Sequence, residues 1–372
     1  MDTLPVFLSA GDLSGDTASS LLVSQLAQLR PGCRFFGLGG QKLRRAGQKQ
    51  LADPADLAVL GFWEVARNFL FFRRLLDRCR REIDKEKPVA AILVDYPGFN
   101  LRLARDIKRR GIPVIYYISP QVWAWGRRRI TAIKRLVDLM IVILPFEEPF
   151  YAGYGLQAKF VGHYLLEDIP GEYISSPVSV SGRKVLAILP GSRPQEIKRM
   201  LPPMLEAAAR FNRTHGTRAV VAGISDMFDY EEYVGQYRDY GIEIVWDDSR
   251  KVIYDSSLVL TASGTATLEA AIIGRPMVVA YRTALLTYQI ARSLIKLDRI
   301  ALANIVLGEK IVPELIQGEA TADRIAAELA RYLSDPAYFD RVKQKLDTVA
   351  AFLGGRGASR RAAEMMLKYL ER

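Results

Sequence analysis

Acidic, hydroxyl and guanidinium side chains fall in this sequence where apolar runs end, and their types suit transfer of a group between a phosphate and a hydroxyl. Asp12 and Asp16 follow the apolar run Val6–Ala10, inside Gly11-Asp12-Leu13-Ser14-Gly15-Asp16. Asp95 and Asn100 follow the apolar run Ala90–Val94. Transfer onto a hydroxyl needs one carboxylate to take its proton. Asp12, Asp16 and Asp95 are the candidates, with a helix-capping or dipole role competing for Asp16. Further on, Pro190-Gly191-Ser192-Arg193 offers a tight glycine turn, a capping hydroxyl and a fixed guanidinium fork for phosphate oxygens. Glu196, three residues beyond Arg193, is its alternative partner. In Leu258–Ala271 a glycine turn at Ser263-Gly264-Thr265 delivers a strand into a helix whose first N–H groups have no intrahelical partner. Thr265 and Glu269 share one face of that helix. Donors for phosphates beside an acceptor for a sugar diol suit a nucleotide-sugar better than bare phosphate; an ordinary strand–turn–helix capped by Ser263 is the competing reading.

These residues need strands that end together. Val6–Ala10, Arg34–Leu38, Ala90–Val94, Val114–Ile118 and Leu139–Leu144 read as strands separated by helices. A second series follows at Val185–Leu189, Ala219–Ala222, Glu243–Val245, Leu258–Ala262 and Met277–Ala280. In such α/β arrangements ligands bind beyond the carboxyl ends of parallel strands. The polar stretch 167–182 is the linker candidate. The pattern predicts two doubly wound, Rossmann-like parallel-sheet domains facing a central cleft. They span residues 1–168 (acceptor and membrane contact) and 183–335 (nucleotide-sugar), with helices over 336–372 returning toward the first.

The chain of 372 residues carries 52 Lys and Arg against 41 Asp and Glu, net +11, which fits phosphorylated substrates, nucleic acid or an anionic membrane surface. Cys33 and Cys79 form no metal-ligand spacing, and His163 and His215 exclude a histidine-rich metal site. His163 is a candidate cleft residue and His215 an exposed helix end. The opening strand leaves no room for a signal peptide and no apolar run spans a bilayer. The expectation is a cytoplasmic protein whose membrane contact, if any, is peripheral. Between Gly61 and Ile83, Phe62, Val65, Phe69, Phe72 and Leu76 form a stripe widened by Trp63, Leu70, Phe71 and Leu75 and flanked by arginines. That composition predicts an interfacial helix, against the alternative of a buried one. Trp123 and Trp125, ahead of Arg127–Arg129, read as packing for at least one ring.

Eight blocks, in order, resemble the lipid-A-disaccharide synthase family: AGDLSGD (Ala10–Asp16), DYPGFN (Asp95–Asn100), YYISPQVWAW (Tyr116–Trp125), LPFEEPFY (Leu144–Tyr151), FVGH (Phe160–His163), LPGSRPQEI (Leu189–Ile197), ASGTATLEA (Ala262–Ala270) and NIVLGEKIVPELIQ (Asn304–Gln317). The resemblance implies a GT-B glycosyltransferase. Such an enzyme joins UDP-2,3-diacylglucosamine to 2,3-diacylglucosamine 1-phosphate, with inversion, to a β(1→6) disaccharide plus UDP. No metal, cofactor or nucleic acid is implied, and the chain is a monomer or homodimer. The catalytic candidates are Asp95, Asp12 and Asn100. Ser14, Gly15, Ser192, Arg193, Ser263, Gly264, Thr265, Glu269 and Asn304 would bind UDP and its diphosphate. Phe62, Trp63, Phe69, Phe72 and Leu76 would meet acyl chains or membrane. The chain departs from the family pattern at Asp12 (usually glutamate), Gly98 (often aspartate, the favoured base), Tyr116 (often histidine), Tyr164 (often proline) and Ala303 (usually proline). With Gly98 in place, Asp95 is the first choice of base and Asp12 the second. The competing readings are another GT-B enzyme using UDP-N-acetylglucosamine, and an inactive membrane-associated homologue that binds UDP-sugar.

Overall fold

The apolar runs are buried strands of two separate parallel sheets. The structure, a computed structural model, describes residues 3–52, 69–124, 126–178, 184–284 and 299–371. It divides into two compact units, Met1–Asp168 with Leu353–Arg372, and Ile169–Phe352.

The first unit alternates β1 (Leu4–Ala10), α1 (Leu13–Leu29), β2 (Cys33–Leu38), α2 (Gln41–Arg45), β3 (Lys49–Gln50), α3 (Phe69–Glu86), β4 (Ala90–Val94), α4 (Pro97–Arg109), β5 (Val114–Tyr117), α5 (Ile130–Leu136), β6 (Leu139–Val142), α6 (Glu147–Ala152) and β7 (Ala158–Phe160). Its sheet order is β3-β2-β1-β4-β5-β6-β7, with β1 paired in parallel to both β2 and β4. β4 is buried at all five positions, as a central parallel strand covered on both faces must be. The order reverses between β1 and β4. The loops after these two strands therefore leave the sheet side by side, since Ala10 registers with Val94.

The second unit repeats the plan with β8 (Val185–Leu189), α7 (Pro194–His215), β9 (Arg218–Gly223), β10 (Ile242–Trp246), α8 (Ser249–Tyr254), β11 (Leu258–Thr261), α9 (Thr265–Ile273), β12 (Met277–Tyr281), α10 (Leu302–Leu307), β13 (Glu314–Ile316), α11 (Ala322–Ser334) and α12 (Pro336–Asp347). The sheet order is β10-β9-β8-β11-β12-β13, reversing between β8 and β11. The α/β, doubly wound class expected from the sequence is the class observed.

Residues 336–372 do not stay together. α12 belongs to the second unit, where Tyr338 stacks on Tyr332 of α11 with ring centroids 5.0 Å apart. The last helix, α13 (Ala358–Leu370), belongs to the first unit. There Arg361 donates to the Val161 carbonyl at 2.8 Å and the Tyr369 hydroxyl to the Asp138 carbonyl at 3.1 Å.

The predicted interfacial stripe is corrected at Phe72. α3 turns Phe72, Leu75, Cys79 and Ile83 into the core over one face of the first sheet, and Leu76 packs partly buried against the same core. The Phe72 ring lies 6.2 Å from that of Phe99 and 6.4 Å from that of Tyr96, so packing claims the side chain that patterning assigned to lipid. Phe62, Trp63 and Trp125 lie outside the described residues, as does the side chain of Phe69. Among the described residues no helix is long and apolar enough to cross a membrane. Trp123 is buried, its ring edge-on to Phe146 at 5.0 Å. Emptying the Phe72 site leaves a cavity, so Phe72→Ala is expected to destabilise the fold by about 3–5 kcal/mol. Chemical denaturation of the two proteins checks this.

Candidate active site

In the first unit the loops at the sheet's reversal bring acidic groups together. Asp12 caps α1: its carboxylate accepts from the Gly15 N–H at 2.7 Å and from the Ser14 hydroxyl at 3.1 Å. Ser14 and Gly15 thus face a carboxylate of their own loop. Asp16 is buried and caps a different helix, accepting from the N–H groups of Gly40, Lys42 and Leu43 at the start of α2. That matches the capping alternative for Asp16, applied to α2 instead of its own helix.

Asp95 stands at the end of β4 with φ 43°, followed by Tyr96 at φ 48°. Two consecutive non-glycine residues in the left-handed region cost about 1 kcal/mol or more each and persist only when neighbours over-determine them. The neighbours here are identifiable. The Asp95 carbonyl accepts from the Tyr116 hydroxyl at 2.6 Å and from the Asn100 amide at 2.9 Å. Gly11 makes room for the turn, since a Cβ there would meet the Tyr96 ring at 2.4 Å.

Asn100 is fully buried, donating also to the Val94 carbonyl at 3.1 Å and accepting from the Ser9 hydroxyl at 2.8 Å. It ties β1 to the β4 turn and holds the Asp95 backbone, which gives it a positioning role.

The sequence reading missed Glu147, at the start of α6. It is buried, accepts from the Ser119 hydroxyl and from the Leu144 N–H at 2.9 Å, and lies within electrostatic reach of Asp95. Its signal was the first glutamate of the quoted Leu144–Tyr151 block. Burial raises the Asp95 carboxyl to about 7, helped by the charges of Asp12 and Glu147. Burial likewise raises Glu147 to about 7 against the pull of its hydrogen bonds. A carboxyl poised near neutrality at a strand end has the form of a general base. Among the described residues nothing lies within 4 Å of a Cβ built on Gly98.

In the second unit, β8 pairs with β11, with Leu189 opposite Thr261, so the Gly191–Arg193 and Ser263–Thr265 turns emerge together at that sheet's reversal. Gly191 at φ 130° and Gly264 at φ 124° use backbone that other residues rarely adopt. Among the described residues no side chain caps α9 behind Gly264, and a Cβ at Gly264 would meet nothing within 4 Å. Open space in front of uncapped helix amides is where an anion sits. Arg193 precedes α7 with its side chain largely exposed, paired at 3.0 Å with Glu196, and Ser192 is exposed beside it. The Ser263 hydroxyl donates to the Ile300 carbonyl at 3.1 Å. Thr267, which the sequence reading passed over, donates to the Gly264 carbonyl at 2.8 Å and accepts from the Leu302 N–H at 3.0 Å, fixing the turn. Glu269 is bonded to Arg250 of α8 at 2.9 Å.

Asn304 is fully buried; it accepts from the Ile311 and Val312 N–H groups and donates to the Val312 carbonyl and to Glu314. With its amide so occupied it supports the turn before β13. His163 is also structural: burial lowers it to about 3, so it is neutral, and Nδ1 accepts from the Leu165 N–H at 3.2 Å.

Comparison with known proteins gives consistent answers. The family described as lipid-A-disaccharide synthetase matches residues 6–369. A lipid-A-disaccharide synthase of Anaeromyxobacter dehalogenans is 42% identical over 369 residues, covering 97% of this chain and 96% of that protein. One from Geobacter sulfurreducens is 39% identical over 374 residues, covering 98% and 97%. Among solved structures, a UDP-GlcNAc 2-epimerase from Neisseria meningitidis bound to UDP-GlcNAc superposes with TM-score 0.63 at 12% identity, covering 99% of this chain and all of that one. A calicheamicin glycosyltransferase superposes with TM-score 0.64 at 18% identity, covering 100% and 99%. At these identities the structures speak for the fold, which is GT-B.

The raised carboxyls have a thermodynamic consequence. Folded Asp95 and Glu147 hold protons that an unfolded chain releases, so between about pH 4 and 7 the folded state binds more protons and loses stability as pH rises. Glu147→Gln is expected to reduce that loss, read as a smaller change in denaturation midpoint across the window. Asp12→Asn is expected to lower the Asp95 midpoint in a carboxyl-carbon NMR titration.

Proposed function

Because the chain belongs to the lipid-A-disaccharide synthetase family, we propose that it is an inverting glycosyltransferase. It joins UDP-2,3-diacylglucosamine to 2,3-diacylglucosamine 1-phosphate and releases UDP. The observation that carries the reading is the match over residues 6–369, which takes in both strand-end sites.

In this mechanism the acceptor's hydroxyl attacks the anomeric carbon of the donor from the face opposite the diphosphate. Asp95 takes the hydroxyl proton as the new C–O bond forms. The bond to the diphosphate oxygen breaks with its electron pair going to UDP, and the configuration inverts. Burial of Asp95 supports the assignment, because a carboxyl raised to about 7 is a stronger base than an ordinary carboxylate and is still ionised in about half of the molecules at neutral pH. Asp12 raises that affinity through its charge. The charge developing on UDP is met by Arg193, by the Ser192 hydroxyl and by the α9 amides behind Gly264 and Thr265. Arg193 then exchanges Glu196 for phosphate oxygens, and Glu269, oriented by Arg250, takes the ribose diol. Ser14 and Gly15 shape the Asp12 loop.

The acylated substrates place the enzyme at the cytoplasmic surface of the inner membrane as a peripheral protein, as a monomer or homodimer. Gly98 is the position that favours the second reading, a homologue that binds UDP-sugar without turning it over. Release of UDP separates the two.

Purified protein with acylated donor and acceptor in detergent micelles is expected to form disaccharide and UDP in equal amounts. Donor bound without UDP release would select the inactive homologue. Asp95→Asn is expected to lower kcat by about 10²–10⁴-fold with donor KM little changed, the signature of a lost general base. Arg193→Ala should raise donor KM by about 10–100-fold, as loss of a charge-assisted hydrogen bond to phosphate predicts. Steady-state kinetics at saturating acceptor distinguish the two effects.

A further inference from the structure

The protein's charge is confined to one of its units. The first carries 30 lysines and arginines against 19 aspartates and glutamates, and the second carries 22 of each, so the whole net charge of +11 belongs to the first. Within it, residues 69–138 alone hold 17 basic and 7 acidic side chains.

That stretch supplies α3, α4 and α5, which bury their apolar sides in one core over the same face of the sheet. Their cations are therefore gathered on the outer side of a single helical layer. Three of the seven acids tie neighbouring segments of the layer together. Arg80 meets Asp106 at 2.7 Å, Arg110 meets Asp84 at 2.6 Å, and Lys108 pairs with Asp138. Arg73, Arg74, Arg81, Arg102, Arg105 and Arg135 stay exposed, with no ion pair among the described residues.

Between α4 and α5 the surface dips into a groove of about 380 Å³, floored by Ala132 and Leu136 and rimmed by Arg105, Lys108, Arg109 and Arg135. Cations around an apolar floor fit a phosphate that carries hydrocarbon. At the start of α3, Leu70 is 66% exposed, one turn from Arg73 and Arg74. Single-stranded nucleic acid is bound by basic grooves that also offer aromatic rings for its bases. Among the described residues of these three helices the only large apolar side chain that stands exposed is Leu70, which is not aromatic.

We propose that the outer face of α3, α4 and α5 docks on an anionic phospholipid bilayer, with the groove between α4 and α5 seating a headgroup phosphate. The inference rests on the peripheral-membrane reading above and, with Phe72 and Leu76 packed against the core, assigns the membrane contact of the described residues to cations. Each cation near such a surface contributes about fivefold in partition, and the attraction is screened by salt.

The test is sedimentation of the full chain with vesicles of phosphatidylcholine, with or without one part in about three of phosphatidylglycerol, at ionic strength of about 0.1 M. The protein is expected to follow the anionic vesicles and to leave them at about 1 M salt. Arg105→Glu with Arg135→Glu should reduce that partition by at least about tenfold. Lys198→Glu with Lys310→Glu, a matched reversal in the second unit, should leave it within about twofold. Disaccharide formation in micelles should persist in the Arg105/Arg135 variant, and an unchanged thermal midpoint shows that it folds. Equal partition of variant and wild type, or equal binding of wild type to neutral vesicles, overturns the proposal. So does an equal loss of activity in micelles, or a variant that keeps its vesicle binding and loses binding to an RNA oligonucleotide. Failure of the wild type to make disaccharide would count against the enzymatic reading and leave the vesicle result standing.

Discussion

Everything proposed for this protein depends on two parallel strand pairings, β1 with β4 and β8 with β11. Each joins strands that are distant in sequence, 84 residues apart at Ala10 and Val94 in the first sheet. Each is the place where a sheet's order reverses, so the helices that follow its two strands diverge to opposite faces and leave a recess between the loops. In the first unit the recess receives Asp12 and Asp95, and in the second the Arg193 and Gly264 turns. Without these pairings the residues would be ordinary caps on separate helices. With them, one unit presents acceptors for a proton and the other presents donors for an anion.

The first recess is costly and is held by side chains that do no chemistry. Two left-handed residues in sequence and two buried carboxyls all oppose folding. Asn100, Tyr116 and Ser9 fix the backbone around Asp95, while Ser119 and the Leu144 N–H satisfy Glu147. Tyr116 stands where the family pattern often has histidine, and its hydroxyl reaches the Asp95 carbonyl as a neutral donor. It supports the turn without placing another titrating group beside the carboxyl. The raised Asp95 therefore follows from desolvation and neighbouring acids.

Much of this was legible in the sequence, for definite reasons. The apolar runs are long, rich in β-branched residues and bounded by glycine and proline, so strands and their ends stand out, as does the two-unit α/β plan. The turns Gly191–Arg193 and Ser263–Thr265 follow from local chemistry. What local patterning cannot show is which polar group another segment satisfies. Asn100 and Asn304 look like site residues because their types and positions suit ligands, yet partners close in space consume them. Phe72 illustrates the same limit for apolar groups. A broad aromatic stripe reads alike whether sheet or lipid covers it, and Phe99 and Tyr96, some 25 residues away, decide the matter. Short elements such as β3 and β13 are too brief for any period to register.

Segregation of charge completes the physical picture. A unit with no net charge that must hold a diphosphate cannot rely on a long-range field, which salt screens within about 10 Å. It relies on donors at contact: amides at a helix start and one guanidinium. Such contacts discriminate by geometry, which suits a nucleotide-sugar that must be gripped in one orientation. The other unit faces the opposite requirement. A bilayer offers no single geometry, only a sheet of charge, and many cations with no ion pair among the described residues, gathered on one layer of helices, meet it without needing register. Acidic side chains inside that same unit keep their protons near neutrality because burial outweighs the surrounding positive field. The cations stand on the outer side of the layer, with the core between them and the sheet. The fold thus keeps apart two uses of charge that would otherwise interfere: an attractive exterior and a carboxyl that must stay basic enough to take a proton.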